Sequence, residues 1–121
     1  MTYYLVAGSR SFDDYDLLSK ELDQLRNNDP DICIVSGGAK GADSLAERYA
    51  NEHGLNLKVF SANWAKYGRS AGYIRNAKMH KFISSFENRI CIAFWDGASK
   101  GTAHNFELAK KYNTPLKIIR F

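Results

Sequence analysis

Five short apolar runs, separated by segments with helical spacing, constrain this chain more than any other feature of its sequence. Nearly continuous apolar runs are typical of strands buried on both faces of a parallel sheet. The runs lie at residues 3–8, 32–37, 57–60, 89–95 and 115–121. Between them, apolar residues recur every three to four positions. This spacing predicts helices at about 13–26, 42–53, 73–86 and 102–112, and residues 61–72 are predicted to form a polar loop.

The alternation of strands and helices predicts an α/β fold with a parallel sheet and helices on both faces. A length of 121 residues fits one domain with one core, so residues 1–121 are assigned to a single unit. No apolar run approaches the ~20 residues that a membrane-spanning helix requires. The start of the chain also lacks the pattern of a signal peptide. We therefore expect a cytoplasmic protein without a membrane partner.

A net charge of +4 favours anionic partners, but the basic residues form no long run. A phosphate-bearing small ligand needs only a few such charges, whereas a DNA-binding face normally needs more of them on one side. Cys33 and Cys91 lie in apolar runs and are predicted to be buried thiols. The three histidines show no metal-ligand spacing, so we predict no metal and no cofactor.

Glycine-containing connections follow three of the five predicted strands. They read GSRSF (8–12), SGGAKGAD (36–43) and WDGASKGT (95–102). Ligands of open parallel sheets bind at the carboxyl ends of the strands, where the strand order reverses. The start of each following helix offers free N–H groups that suit an anion. The Walker A and GxGxxG patterns are absent. The connections therefore predict a phosphate site of another type, with the glycines as one wall.

The candidate ligand-binding residues lie in these connections and in the segment before and within the third helix. Arg10 can bind a phosphate bidentately, or it can pair with Asp13 or Asp14. Lys40 can add charge or lie solvated, and Asp43 can cap its helix, orient Lys40 or contact a ribose hydroxyl. The full set is Gly8, Ser9, Arg10, Ser36, Gly37, Gly38, Lys40, Gly41, Asp43, Trp64, Arg75, Asn76, Asp96, Gly101 and Thr102.

Arg75 stands out within this set because it continues an apolar stripe that includes Met79 and Phe82. An unpaired buried charge is costly, so the side chain is expected to point into a crevice or towards a partner. Trp64 can stack on a base or take part in a dimer contact. The sequence leaves both roles of Trp64 open.

Four motifs, AGSRSFDDY, SGGAKGADSLAERYA, AGYIRNAKM and FWDGASKGTAH, resemble the YspA-like branch of the SLOG superfamily. That superfamily also includes the "lonely guy" phosphoribohydrolases and the DNA-processing protein DprA. The resemblance implies a Rossmann-like sheet with strand order 3-2-1-4-5, a nucleotide-derived ligand and a homodimer. The segment RNAKM is similar to one that carries an active-site arginine in the phosphoribohydrolases, which implies a role in the site for Arg75 and Asn76.

The chain departs from the phosphoribohydrolases at their catalytic glutamate, which would fall near His104 or Asn105. We therefore expect a protein that binds a nucleotide or nucleotide-derived molecule as a sensor or sequestering module. The alternative is an N-glycosidic hydrolase of nucleotides, for which Arg75, Asp96 and Glu107 are the catalytic candidates. Single-stranded DNA binding of the DprA type is the third possibility.

Overall fold

The computed structural model describes residues 1–121 and contains five strands, five α-helices and one short 3₁₀ helix. The strands are β1 (Thr2–Gly8), β2 (Ile32–Ser36), β3 (Asn56–Val59), β4 (Arg89–Trp95) and β5 (Leu116–Arg120). The helices are α1 (Tyr15–Arg26), α2 (Ala42–Glu52), α3 (Trp64–Tyr67), α4 (Ala71–Ser84) and α5 (Lys100–Lys111). A 3₁₀ turn, Gly68–Ser70, joins α3 to α4. None of these helices has the length and apolar character needed to cross a membrane.

All five strands are parallel and form one sheet in the order β3-β2-β1-β4-β5. The predicted fold class and strand order are confirmed. The chain runs outwards from β1 to β3, returns across the sheet, and then runs outwards again from β4 to β5. The strand order therefore reverses between β1 and β4, and a crevice opens at the carboxyl ends of these two strands.

Alternate residues of the strands point to opposite faces, and each face is covered by two helices. On one face Tyr4 and Val6 pack with residues of α1 and α2, among them Leu22 and the fully buried Tyr49. On the other face Leu5 and Ala7 pack with residues of α4 and α5, among them Met79, Ile83 and Ala109. Cys33 and Cys91 are buried free thiols, as predicted.

The predicted loop at residues 61–72 is wrong, because the segment contains α3, the 3₁₀ turn and the start of α4. Asn63 caps α3 by accepting a hydrogen bond from the N–H of Lys66 at 3.1 Å. Gly68 then has a φ of 55°, a left-handed conformation that glycine adopts without strain. The two short turns place Trp64 and Arg69 beside the crevice. Helix α4 consequently begins two residues earlier than predicted.

Candidate functional site

A cavity of about 460 Å³ lies at the carboxyl ends of β1 and β4, where the strand order reverses. Its walls come from the β1–α1 and β4–α5 connections, from helix α4 and from the segment that contains α3. Three guanidinium groups and two carboxylates line it, namely those of Arg10, Arg69, Arg75, Asp43 and Asp96. No group of three or more potential metal ligands occurs in the structure.

The β1–α1 connection is held against the start of α2 by two glycines. A Cβ at Gly41 would lie 2.7 Å from the carbonyl oxygen of Arg10, and Gly41 itself has a φ of 79°. A Cβ at Gly8 would lie 2.7 Å from the carbonyl oxygen of Phe94. Both positions therefore require glycine so that segments of the protein can approach one another closely.

Two N–H groups of the β2–α2 connection donate hydrogen bonds to side chains of the protein. The N–H of Gly38 donates to Ser36 Oγ at 3.1 Å, and the N–H of Ala39 donates to Asp43 Oδ2 at 3.1 Å. Ser36 Oγ in turn donates to Glu47 Oε2 at 2.7 Å. These contacts order the connection, and they leave fewer of its N–H groups free for an anion than the glycine pattern suggests.

Arg75 on α4 reaches across to this connection. Its Nη1 donates to the carbonyl oxygen of Gly37, and its Nε donates to Asn76 Oδ1 at 2.9 Å. A Cβ at Gly37 would lie 2.6 Å from Arg75 Nη1, so glycine is needed there to admit the guanidinium. Burial lowers the pKa of Arg75, and the nearby Asp43 carboxylate opposes that effect. The guanidinium is thus oriented by the protein and still lines the cavity.

Asp43 is a carboxylate with only 7% of its surface exposed, and it lines the same cavity. Burial raises its pKa to about 6, although the N–H of Ala39 and the charge of Arg75 act in the opposite direction. The N-cap of α2 is Gly41, without a side-chain hydrogen bond, and Asp43 lies in the first turn. The capping alternative for Asp43 is therefore wrong. Its carboxylate orders the β2–α2 connection and titrates close to neutral pH.

The β4–α5 connection places the start of a 12-residue helix at the cavity. Asp96 Oδ1 accepts hydrogen bonds from the N–H groups of Ala98 at 2.9 Å and Ser99 at 2.8 Å, and these bonds lower the pKa of Asp96. Ser99 caps α5 through the N–H of Thr102. A Cβ at Gly101 would meet nothing within 4 Å, so this part of the helix start is open.

A buried polar layer behind the cavity fixes this helix start. His80, fully buried, donates through Nε2 to Asn105 Oδ1 at 3.0 Å. Asn105 Nδ2 then donates to the carbonyl oxygens of Gly101 and Thr102, each at 3.3 Å. Burial lowers the pKa of His80 to about 4, so the imidazole is neutral at pH 7. The His80 Nδ1 atom has no partner.

The rim of the cavity carries an exposed ring and an exposed cation. Trp64 is 49% exposed, and the Arg10 guanidinium carbon lies 5.6 Å from the centre of its ring. Tyr73, also exposed, packs edge-on against His104 with 4.6 Å between ring centres. Neither Arg10 nor Arg69 forms an ion pair within the chain. These side chains are available to a ligand.

The structure brings most of the predicted residues to the cavity. Gly8, Ser9, Arg10, Asp43, Trp64, Arg75, Asn76, Asp96, Gly101 and Thr102 line it. Gly37, Gly38 and Lys40 border a second concavity beside it. Ser36 is fully buried and Gly41 packs against the β1–α1 connection, so both act through neighbouring segments. Glu107 is exposed on α5 and lines neither concavity.

Sequence reasoning missed five polar lining residues: Arg69, Tyr73, Ser99, Asn105 and Ser11, the last of which directly follows the predicted Arg10. The first two depend on the short turns between β3 and α4, which the spacing of apolar residues does not reveal. Ser99 had a usable signal, because serine is a preferred N-cap and it precedes a predicted helix start. Asn105 lies one turn into α5 on the buried side, where a polar residue points to a hydrogen-bonded partner.

The sequence places this protein in a recognised family. The sequence profile of the YspA, cpYpsA-related SLOG family (YAcAr) matches residues 4–67, more than half of the chain. The chain belongs to this family, as the resemblance indicated. The gene 61 protein of Mycobacterium phage D29 is 33% identical to it in an alignment of 122 positions, which covers 96% of this chain and 94% of that protein.

Solved structures of two DNA processing proteins share the fold. DprA of Streptococcus pneumoniae superposes with a TM-score of 0.67 at 18% identity, over 100% of this chain and 51% of its own. DprA of Helicobacter pylori, whose structure was described for its single-stranded DNA binding mode, superposes with a TM-score of 0.68 at 20% identity. The superposition covers 97% of this chain and 64% of the DprA chain. The chain therefore spans less than two thirds of either DprA chain, and the likeness concerns the fold alone.

Proposed function

We propose that the protein binds a nucleotide or a nucleotide-derived small molecule in the cavity at the ends of β1 and β4. The observation that carries the proposal is the grouping of Arg10, Arg69 and Arg75 around the open start of α5. Guanidinium groups bind phosphate oxygens through paired N–H groups, and a helix start adds N–H donors and a partial positive charge. Membership of the SLOG family supports the same class of ligand.

The remaining lining residues suit the other parts of a nucleotide. Trp64 on the rim offers a ring face on which a base can stack. The carboxylates of Asp43 and Asp96 can accept hydrogen bonds from ribose hydroxyls. A carboxylate next to a phosphate is repulsive, so the phosphate is assigned to the arginines and the sugar to the aspartates.

Cleavage of the N-glycosidic bond is the second candidate function, and Asp43 is the observation that favours it. A carboxyl with a pKa of about 6 can hold or release a proton near neutral pH, as a general acid or base must. Binding a phosphate equally in ground and transition states does not raise the turnover rate, so the arginines alone give no catalysis. Glu107 lies outside the cavity and is not proposed for this role.

Titration calorimetry with ribonucleoside mono- and diphosphates tests the binding proposal. Arg10 is exposed and donates no hydrogen bond within the protein, so Arg10→Ala should weaken binding without disturbing the fold. The loss of one charge-assisted hydrogen bond predicts a decrease of about 1.5–3 kcal/mol. Lys20→Ala, an equal change of charge on the exposed side of α1, is the control and should bind like the parent protein.

Two other results would favour a different function. Release of free base from a monophosphate, followed by chromatography and lost in Asp43→Asn, would favour the hydrolase. Stabilisation by single-stranded DNA with no response to any nucleotide would contradict the small-ligand proposal and favour a nucleic-acid partner.

A homodimer remains part of the proposal, supported by large apolar side chains on the surface such as Tyr73 and Phe121. Light scattering at micromolar concentration tests it, and a monomer mass would contradict it.

A further inference from the structure

A second concavity of about 540 Å³ adjoins the first. It lies over the β2–α2 connection and the segment that follows β3. Its lining includes Gly38, whose φ of 70° turns the chain beside the end of β3. The residues that line both concavities are Arg10, Ala39, Trp64 and Arg75. The two spaces therefore adjoin, and these four residues form a wall that is common to both.

The charge of the second concavity differs from that of the first. Arg10, Lys40 and Arg75 line it, and no carboxylate does. The first concavity carries three guanidinium groups together with the carboxylates of Asp43 and Asp96. A group with two negative charges is therefore attracted more strongly to the second space, because no lining carboxylate repels it there. Sugar hydroxyls, which need acceptors, suit the first space better.

Lys40 belongs to the second concavity alone and is free to bind. It is exposed, and it takes part in no ion pair or side-chain hydrogen bond. The two arginines on the common wall can contact a phosphoryl group on the side of the first space while they face the second. A second phosphoryl group, linked to the first through one bridging oxygen, would then lie within the space that Lys40 borders.

We propose that the second concavity is a subsite for a further phosphoryl group, so that the ligand is a nucleotide with a pyrophosphate linkage. This inference rests on the proposed nucleotide binding and narrows its ligand class. The base, the ribose and the first phosphoryl group occupy the first concavity, the bridging oxygen lies beside Arg10 and Arg75, which line both spaces, and Lys40 binds the distal phosphoryl group.

The test compares the 5′-mono- and diphosphates of adenosine, guanosine, cytidine and uridine by titration calorimetry. At least one diphosphate should bind about tenfold or more tightly than its monophosphate. Lys40→Ala should abolish that preference, because it weakens the diphosphate by a larger factor than the monophosphate. Arg69→Ala, which alters the first concavity alone, should weaken both ligands by the same factor. Lys66→Ala removes a nearby charge that lines neither space, and it should preserve the preference.

The possible failures are distinguishable. If a monophosphate binds and the diphosphate gains nothing, or if Lys40→Ala weakens both ligands equally, the subsite is refuted while nucleotide binding stands. If no mono- or diphosphate binds, the proposed function fails and the subsite fails with it. A thermal unfolding curve for each variant separates loss of binding from loss of fold.

Discussion

Replacement of Asp43 by Asn should stabilise the protein at neutral and alkaline pH. The carboxyl is 7% exposed, and its pKa is raised to about 6 against a reference value of 3.8. Its main stabilising contact, the hydrogen bond from the N–H of Ala39, can be kept by the amide oxygen of Asn. The substitution therefore removes a buried charge and preserves the contact that orders the β2–α2 connection.

The size and sign of the effect follow from the two pKa values. Between 3.8 and about 6 the unfolded chain releases the proton while the folded protein still holds it. The protonated carboxyl makes its full contribution to stability below pH 3.8, and this contribution is lost as the pH rises through about 6. The difference corresponds to about 3 kcal/mol. Asp43→Asn should thus match the parent protein near pH 4 and exceed it by roughly this amount at pH 8.

Urea unfolding at pH values from 4 to 8, followed by far-ultraviolet circular dichroism, measures the effect. Other groups titrate in both proteins, so the difference between the two curves isolates Asp43. Asp96→Asn is the matched control, because hydrogen bonds from Ser99 and Ala98 lower the pKa of that carboxyl. The difference in unfolding free energy between Asp96→Asn and the parent protein should have the opposite sign. The variant should be less stable than the parent above the acid range. A difference for Asp43→Asn that stays constant with pH, or that is destabilising at pH 8, would refute the reasoning.

Two further predictions concern the packing around the site and use the same unfolding assay. Gly41→Ala should destabilise the protein by about 1–3 kcal/mol or more, because a Cβ there meets the Arg10 carbonyl oxygen at a positive φ; stability equal to the parent would contradict this. His80→Leu should cost about 1–3 kcal/mol at pH 7, since Asn105 Oδ1 loses its donor. The parent protein should lose stability as the pH falls from 6.5 towards 4, because the pKa of His80 is lowered to about 4 in the folded protein. This loss should be absent from His80→Leu, and an unchanged pH profile would contradict the prediction.

The parallel sheet was predictable because its central strands are nearly continuous apolar runs. Residues 32–36 are all buried in β2, and β1 and β4 have buried centres, as their apolar runs indicate. The strand order came from the resemblance, since parallel runs alone allow several orders. Helix α3 was missed because four residues, all partly or fully exposed, give no periodic pattern.

The location of the site was also predictable, since the carboxyl ends of parallel strands meet at one edge. Arg75 could be predicted as a site residue because a charged side chain on an apolar helix face is expected to point into a crevice or towards a partner. The contacts of the individual residues were not predictable, because they depend on atoms distant in the sequence. Asp43 resembles a helix cap in the sequence, yet its carboxylate accepts from Ala39 and lies beside the Arg75 guanidinium.

The glycines of the β2–α2 connection illustrate why a glycine-rich loop does not by itself define a phosphate cradle. Gly37 admits the guanidinium of Arg75, and Gly41 admits the backbone at Arg10, so both are needed for packing within the protein. The N–H groups of Gly38 and Ala39 are bonded internally. These two N–H groups are therefore not free for an anion, and side-chain cations and the start of α5 are the donors that line the first cavity. Attraction to exposed cations is screened by salt, whereas bonds to buried N–H groups are screened much less. Affinity for a phosphate ligand should consequently fall as ionic strength rises, and that dependence separates binding by Arg10, Lys40 and Arg69 from binding by the loop backbone.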